Sequence, residues 1–313
     1  MTSEPIAVTP TRRHVYRHTA LTLAVLVAVG CLAKRHWPVL ETGALRLAVA
    51  DQGWLLAGAA AAAGTWLCAA LAQQGAVLRR LPRGRLVAAQ FAACAANLVL
   101  PAGIGAGAVV LRFLIRCGLP AGRSATAVAV KATAGGVARA ALIAVLATAC
   151  PGVLRIPPTW GVWAVAVGLL LGGTVLLAVR LWPRCRRVLG SVLSDVRAVH
   201  ARPHRAVALW GGSLAFAVLH ALVLIAVTRA VGLPLAPALV ALLYLAASSA
   251  AALLPTPGNL GSLDAALVLA LAAAGAPAAV AASAVLGYRL LTVWIPLVPG
   301  LLVLGILVRR RDV

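Results

Sequence analysis

Two apolar segments of this chain are each broken at their centre by a cluster of proline and glycine, and the two breaks are alike. The first runs Asn97-Leu-Val-Leu-Pro101-Ala-Gly103-Ile-Gly105-Ala-Gly107, and the second Leu253-Leu-Pro255-Thr-Pro257-Gly258-Asn259-Leu-Gly261. Each is followed by a second mark, Gly118-Leu-Pro120 and Gly275-Ala-Pro277. Proline removes a backbone donor and glycine relaxes the helix, so each segment reads as a helix broken at its middle. Within a bilayer such backbone is tolerated only where it is buried in protein or lines a wet cavity. Paired breaks in two halves of a chain point to a central binding site of transporter type.

The membrane setting follows from apolar runs near 20 residues long: Thr19–Ala33, Gly53–Ala72, Ser124–Ala149, Gly161–Leu181, Val207–Val227 and Val280–Val308. About 20 such residues cross a hydrocarbon core. The chain is 63% hydrophobic with 11% charged residues, and its mean hydropathy is +1.01. No small-residue cleavage site follows the first run, so it is expected to stay as a span rather than leave as a signal peptide. The runs nearly use up the 313 residues, which leaves no room for a soluble catalytic domain. The expected fold is an all-α polytopic integral membrane protein. It has about six full spans plus two re-entrant or broken helical hairpins, and 1–313 forms a single membrane domain.

A net charge of +22 would suggest nucleic acid in a soluble chain. Here topology explains it better, because Lys and Arg collect in cytoplasmic loops. Arg12, Arg13 and Arg17 place the N-terminus inside, and Arg79, Arg80, Arg83 and Arg85 place the next loop inside after two crossings. Seven arginines from Arg180 to Arg205 make 182–206 a basic cytoplasmic loop, and Arg309–Arg311 put the C-terminus inside. The segment 86–118 then begins and ends inside, whereas 236–275 begins and ends outside. The units 86–149 and 236–308, each a broken pair followed by a span, are therefore an inverted repeat. This topology leaves 20 of 28 cationic residues inside, 5 outside and 3 within spans. A rival with full spans at 86–104 and 236–254 needs extra short crossings that the charges do not favour.

The three intramembrane cations are Lys131 and Arg139, eight apart on the span after the first break, and Arg289 on the span after the second. An unpaired cation at the bilayer centre costs about 2.5 to 17 kcal/mol, so it normally faces a cavity or a partner. Asp264 is the one acid near enough to serve. The excess positive charge suits an anionic ligand such as a lipid phosphate; the alternative for Lys131 is snorkelling to the headgroups. Half-helices starting after the breaks would aim free N–H groups at such a ligand. Gly103, Gly105 and Gly107 in one repeat and Gly258 and Gly261 in the other would allow close backbone approach, and Asn97 and Asn259 could bond a headgroup. Pro101, Pro255 and Pro257 are the break or hinge positions. Alternatively the glycines only permit the turn, with Ser262 and Asp264 as an ordinary N-terminal cap of the following helix; for Asp264, pairing with Arg289 stands as an equal alternative to capping.

The stretch Pro255-Thr-Pro-Gly-Asn-Leu-Gly-Ser-Leu-Asp264-Ala-Ala-Leu267, with Gly275, Tyr288-Arg289 and Trp294-Ile-Pro296, resembles the C-terminal signature of the lysylphosphatidylglycerol synthase transmembrane family. That family is similar to the flippase half of the bacterial multiple peptide resistance factor. The stretch Asn97…Pro101-Ala-Gly…Arg112…Gly118 is similar to its first signature. The resemblance implies translocation of a polar lipid in the cell membrane, with aminoacyl-phosphatidylglycerol the best-known cargo. It does not imply synthase activity, because the aminoacyl-transfer domain of full-length members has no counterpart here.

Other chemistry finds little footing. Six scattered cysteines lack Cys-x-x-Cys spacing. His200 and His204 have a metal-capable spacing, but they lie among Arg197, Arg202 and Arg205 and read as a solvated basic face near lipid headgroups. Paired carboxylates, Walker-type loops and a Ser-His-Asp set are absent, so the chain is expected to be neither an enzyme nor dependent on a metal or cofactor. Its expected partner is membrane phospholipid. Two other readings stand beside translocation: a non-transporting membrane partner of an enzyme encoded separately, and a small-anion transporter.

Overall fold

A computed structural model describes residues 46–99, 104–149, 194, 196–252 and 259–309. The runs Thr19–Ala33 and Gly161–Leu181, the break residues Pro101, Gly103, Pro255, Pro257 and Gly258, and most of the 182–206 loop lie outside the described residues. The described part is all helical: α1 (Gln52–Gly75), α2 (Arg83–Val99), α3 (Ile104–Arg116), α4 (Ala121–Ala149), α5 (Pro203–Ala230), α6 (Pro237–Ala251), α7 (Ser262–Ala273), α8 (Ala278–Arg289) and α9 (Ile295–Arg309). A π-helical turn, Leu290–Trp294, joins α8 to α9. Among the described residues four stretches are long and apolar enough to cross a membrane: α1, α4, α5 and the continuous Ala278–Val303. Four of the expected runs are thus long helices.

Helix α1 lies against α5 antiparallel along its whole length, and glycine sets the spacing. A Cβ on Gly75 would come within 2.3 Å of the Leu209 nitrogen, and one on Gly212 within 2.7 Å of the Ala72 nitrogen. Further along, Gly64 meets Leu219 and Gly58 meets Ala226. In lipid there is no hydrophobic drive between helices, so close backbone approach through small residues supplies the attraction. Both ends of the pair are locked. The Asp51 N–H donates to the Ala230 carbonyl at 3.2 Å, while buried Arg205 donates to the carbonyls of Gln74 at 2.7 Å and Leu78 at 3.2 Å. The Gln74 carbonyl is in the last turn of α1 and the Leu78 carbonyl just beyond it, where helix carbonyls run out of intrahelical partners.

Both broken segments fold as pairs of short helices. Helices α2 and α3 pack on each other across residues 100–103, and Gly105 sits so close to α2 that a Cβ would come within 2.2 Å of the Ala96 carbonyl oxygen. Helices α6 and α7, 15 and 12 residues long, pack on each other in the same way. At 1.5 Å per residue these two reach about 22 and 18 Å, short of a bilayer core.

Two apolar cores result among the described residues. One gathers Leu86, Val109, Phe113, Leu114, Ala127 and Leu209 around the first pair. The other gathers Leu224, Val240, Leu245, Leu267, Leu271 and Val285 around the second. Helix α4 touches both, with Ala134 in the first and Leu142 and Leu146 against the second. Helix α9 crosses back to α2, where Gly300 rests on the Phe91 carbonyl. The π turn before it has a local cause. Pro296 lacks the N–H that the Thr292 carbonyl would accept, and the Ile295 N–H bonds back to Leu290 instead.

Candidate functional site

One cavity of about 610 Å³ opens between α1, α2, α3, α4 and α5. Its wall holds Lys131 and Arg139 from α4, Asn97 and Gln90 from α2, Gln73 from α1 and His220 from α5. Lys131, Gly135 and Arg139 recur every four residues, so they lie along one side of α4. Two turns separate the cations by about 12 Å along the axis. Gly135 and Gly136, between them, also line the cavity, and a Cβ on either would touch nothing within 4 Å. The wall between the two charges is therefore bare backbone.

Lys131 donates to the Gln90 side-chain oxygen at 3.1 Å, so it turns toward α2 rather than along α4 to the headgroups. Around it lie buried polar atoms with no hydrogen-bond partner among the described residues: both ends of the Gln73 amide, the Gln90 nitrogen, the Asn97 side-chain oxygen and Arg139 Nε. Gln73 is fully buried. A buried polar group left unbonded costs about 1–3 kcal/mol, so five such atoms in one wall are a standing cost to the fold. Groups of this kind are retained where a ligand or ordered water uses them.

His220 connects the cavity to the second core. Its Nδ1 lies 3.0 Å from the Tyr288 hydroxyl, which in turn donates to the Tyr244 hydroxyl at 3.2 Å. Thr292, in the π turn, lines the same cavity and donates to the Tyr288 carbonyl at 2.7 Å.

Arg289 and its neighbours stand elsewhere. Its Nε donates to Asp264, and its Nη2 donates to the Asn259 carbonyl at 2.6 Å. The other Asp264 oxygen accepts the Gly261 N–H at 2.9 Å, so this carboxylate both caps α7 and holds Arg289. Asn259 adopts φ +53° and Gly261 φ +80°, the turn that brings the Asn259 carbonyl to the guanidinium. Arg289, Asp264, Asn259 and Gly261 thus engage one another and are not in the cavity wall. Gly105 likewise spends its close approach on α2 rather than on open space. Of the candidate binding residues, the structure brings Lys131, Arg139 and Asn97 together. It groups Arg289, Asp264, Asn259 and Gly261 apart from them.

The sequence does not single out Gln73, Gln90 or His220. Their signal was a polar side chain in an apolar run, weak for each alone. Gln74 shows why: beside Gln73, it has a purely local use, donating to the Arg79 carbonyl at 2.9 Å and accepting the Leu81 N–H at 2.8 Å. Among the described residues no group of three or more His, Cys, Asp and Glu is placed to hold a metal ion.

The Lysylphosphatidylglycerol synthase TM region family matches residues 19–300, nearly the whole chain, and the chain belongs to that family. Among proteins of curated function none matches it significantly. The membrane setting and a lipid-related role therefore rest on both the apolar helices and the family.

Proposed function

We propose that this member of the family moves a polar phospholipid between the leaflets of the cell membrane, admitting the headgroup to the cavity on α4. The observation that carries this reading is the placement of Lys131 and Arg139 in one wall, eight residues apart, with Gln73, Gln90 and Asn97 around them. Cations at membrane depth are retained where they serve a pathway or a ligand. A volume of about 610 Å³ lies within the usual range of small-molecule pockets.

The fold supports the same reading. Helices α2, α3 and α4 form a short pair followed by a long helix, and α6, α7 and α8 with its continuation repeat that order. The antiparallel α1 and α5, each preceding one unit, have the opposite directions that inversion requires. With both termini cytoplasmic, the first pair enters from the inner face and the second from the outer. The cavity is lined by the first unit together with α1 and α5, with Thr292 as the second unit's contribution among the described residues, so rocking of the first unit against α1 and α5 would expose it to either side. The protein binds and releases its cargo without making or breaking covalent bonds.

The test is reconstitution in liposomes carrying fluorescent phospholipids, followed by quencher access to inner-leaflet dye. Accelerated, headgroup-selective exposure supports translocation. Folded protein that accelerates no lipid but passes phosphate would establish the small-anion reading in its place.

A further inference from the structure

We infer that the cavity selects a singly anionic phosphodiester headgroup bearing hydroxyls, such as phosphoglycerol, and disfavours any headgroup carrying an ammonium. The inference rests on the proposed lipid reading and deepens it by naming the headgroup class.

Charge balance carries the selection. The chain has six acids, of which the described residues include Asp51 and Asp264. Asp51 caps α1, its carboxylate accepting the N–H groups of Gly53 at 2.8 Å and Trp54 at 3.2 Å. Asp264 is held by Arg289 and the Gly261 N–H. Neither is in the cavity wall, which among the described residues contains two cations and no carboxylate. A phosphodiester anion is attracted by both Lys131 and Arg139 and accepts their donors as charge-assisted bonds. An ammonium brought into the same space is repelled by both, with little screening at low local dielectric.

The neutral groups fit the rest of such a headgroup. Among the described residues the wall has unpartnered acceptors in the Gln73 and Asn97 side-chain oxygens, and unpartnered donors in the Gln73 and Gln90 nitrogens. Hydroxyls both donate and accept, so they can satisfy all of these, whereas a quaternary ammonium can satisfy none. The bare backbone at Gly135 and Gly136 leaves room for the headgroup between the two charges.

The test is lipid binding to the purified full chain in nanodiscs, which is read without any transport step. The probes are phosphatidylglycerol, lysyl-phosphatidylglycerol and phosphatidylcholine, with soluble glycerophosphoglycerol as a competitor. Phosphatidylglycerol is expected to bind at least about tenfold more tightly than either of the others, a difference of ~1.4 kcal/mol. Arg139→Gln is expected to shrink that preference. Asn97→Asp, nearly isosteric, is expected to turn it toward the lysyl lipid, an outcome that loss of folding cannot imitate. Equal or tighter binding of lysyl-phosphatidylglycerol, or no binding of any probe, overturns the inference. Preference for phosphatidylglycerol in protein that flips nothing upholds the inference while refuting translocation. Displacement by glycerophosphoglycerol as effective as by the lipid upholds the headgroup chemistry and makes the cargo water-soluble.

Discussion

Arg289 on α8 holds Asp264 on α7, and a second donor of the same guanidinium closes on the Asn259 carbonyl. The pair pins the turn that ends the second break against the following span. Arg289 is buried while Asp264 keeps 32% of its side-chain surface. Removing the acid would strand the buried cation, a loss of about 3–5 kcal/mol when one partner of a buried pair is deleted. Asp264→Ala is therefore expected to lower the melting temperature in detergent markedly. Arg289→Ala is expected to reduce folded yield rather than to abolish transport from an otherwise intact protein. A fully stable Asp264→Ala, followed by heating with circular dichroism, would show that the pair does not hold the turn.

Lys131 and Arg139 should behave in the opposite way. Their charged groups belong to the cavity wall, and Arg139 Nε bonds nothing among the described residues. Lys131→Met and Arg139→Gln are expected to leave melting near the parent value. Each should weaken headgroup binding by about tenfold to a hundredfold, the range of ~1.5–3 kcal/mol for hydrogen bonds to charged groups. The comparison is between thermal melting and lipid titration on the same preparations.

Gln73 offers a test in which stability and function part. Its amide is fully buried with neither end bonded among the described residues. Gln73→Leu, of similar size, removes the unmet polar atoms and is expected to stabilise the protein by about 1–3 kcal/mol. Headgroup binding should fall in the same variant, the trade-off expected of a site kept for its ligand. Destabilisation by this change would mean that the amide serves the fold.

Glycines separate into two kinds by what a side chain would meet. Gly75 has the Leu209 backbone at 2.3 Å from an added Cβ. Gly75→Ala must push α1 and α5 apart, and it is expected to lose most of the folded protein in size-exclusion profiles. Gly135 meets nothing within 4 Å, so Gly135→Ala should be tolerated and even slightly stabilising, by about 0.4–1 kcal/mol through the unfolded chain.

How much of this is legible in sequence depends on the range of the interaction. The breaks at 100–103 and 253–258, the long helices α1, α4 and α5, and the Lys131 and Arg139 pair are local patterns of proline, glycine, hydropathy and charge, and they can be read directly. The pairing of Arg289 with Asp264 is open in the sequence as one of several alternatives, because they stand 25 positions apart with a turn between them. The place of Gln73 in the cavity cannot be read at all. It depends on α1 being held by α5, 131 residues away at the Arg205–Gln74 contact. Glycine counts alone also do not tell Gly75 from Gly135, since the difference lies in what stands opposite.

The central claim is that headgroups cross by way of the cavity between Lys131 and Arg139. Its most direct test is the rate of lipid exposure in liposomes for the parent and for Gly135→Leu, a side chain that the open wall has room to accept and that fills the space between the cations. The account predicts normal melting with exposure reduced to the protein-free rate. Unchanged exposure from a folded Gly135→Leu protein would contradict it.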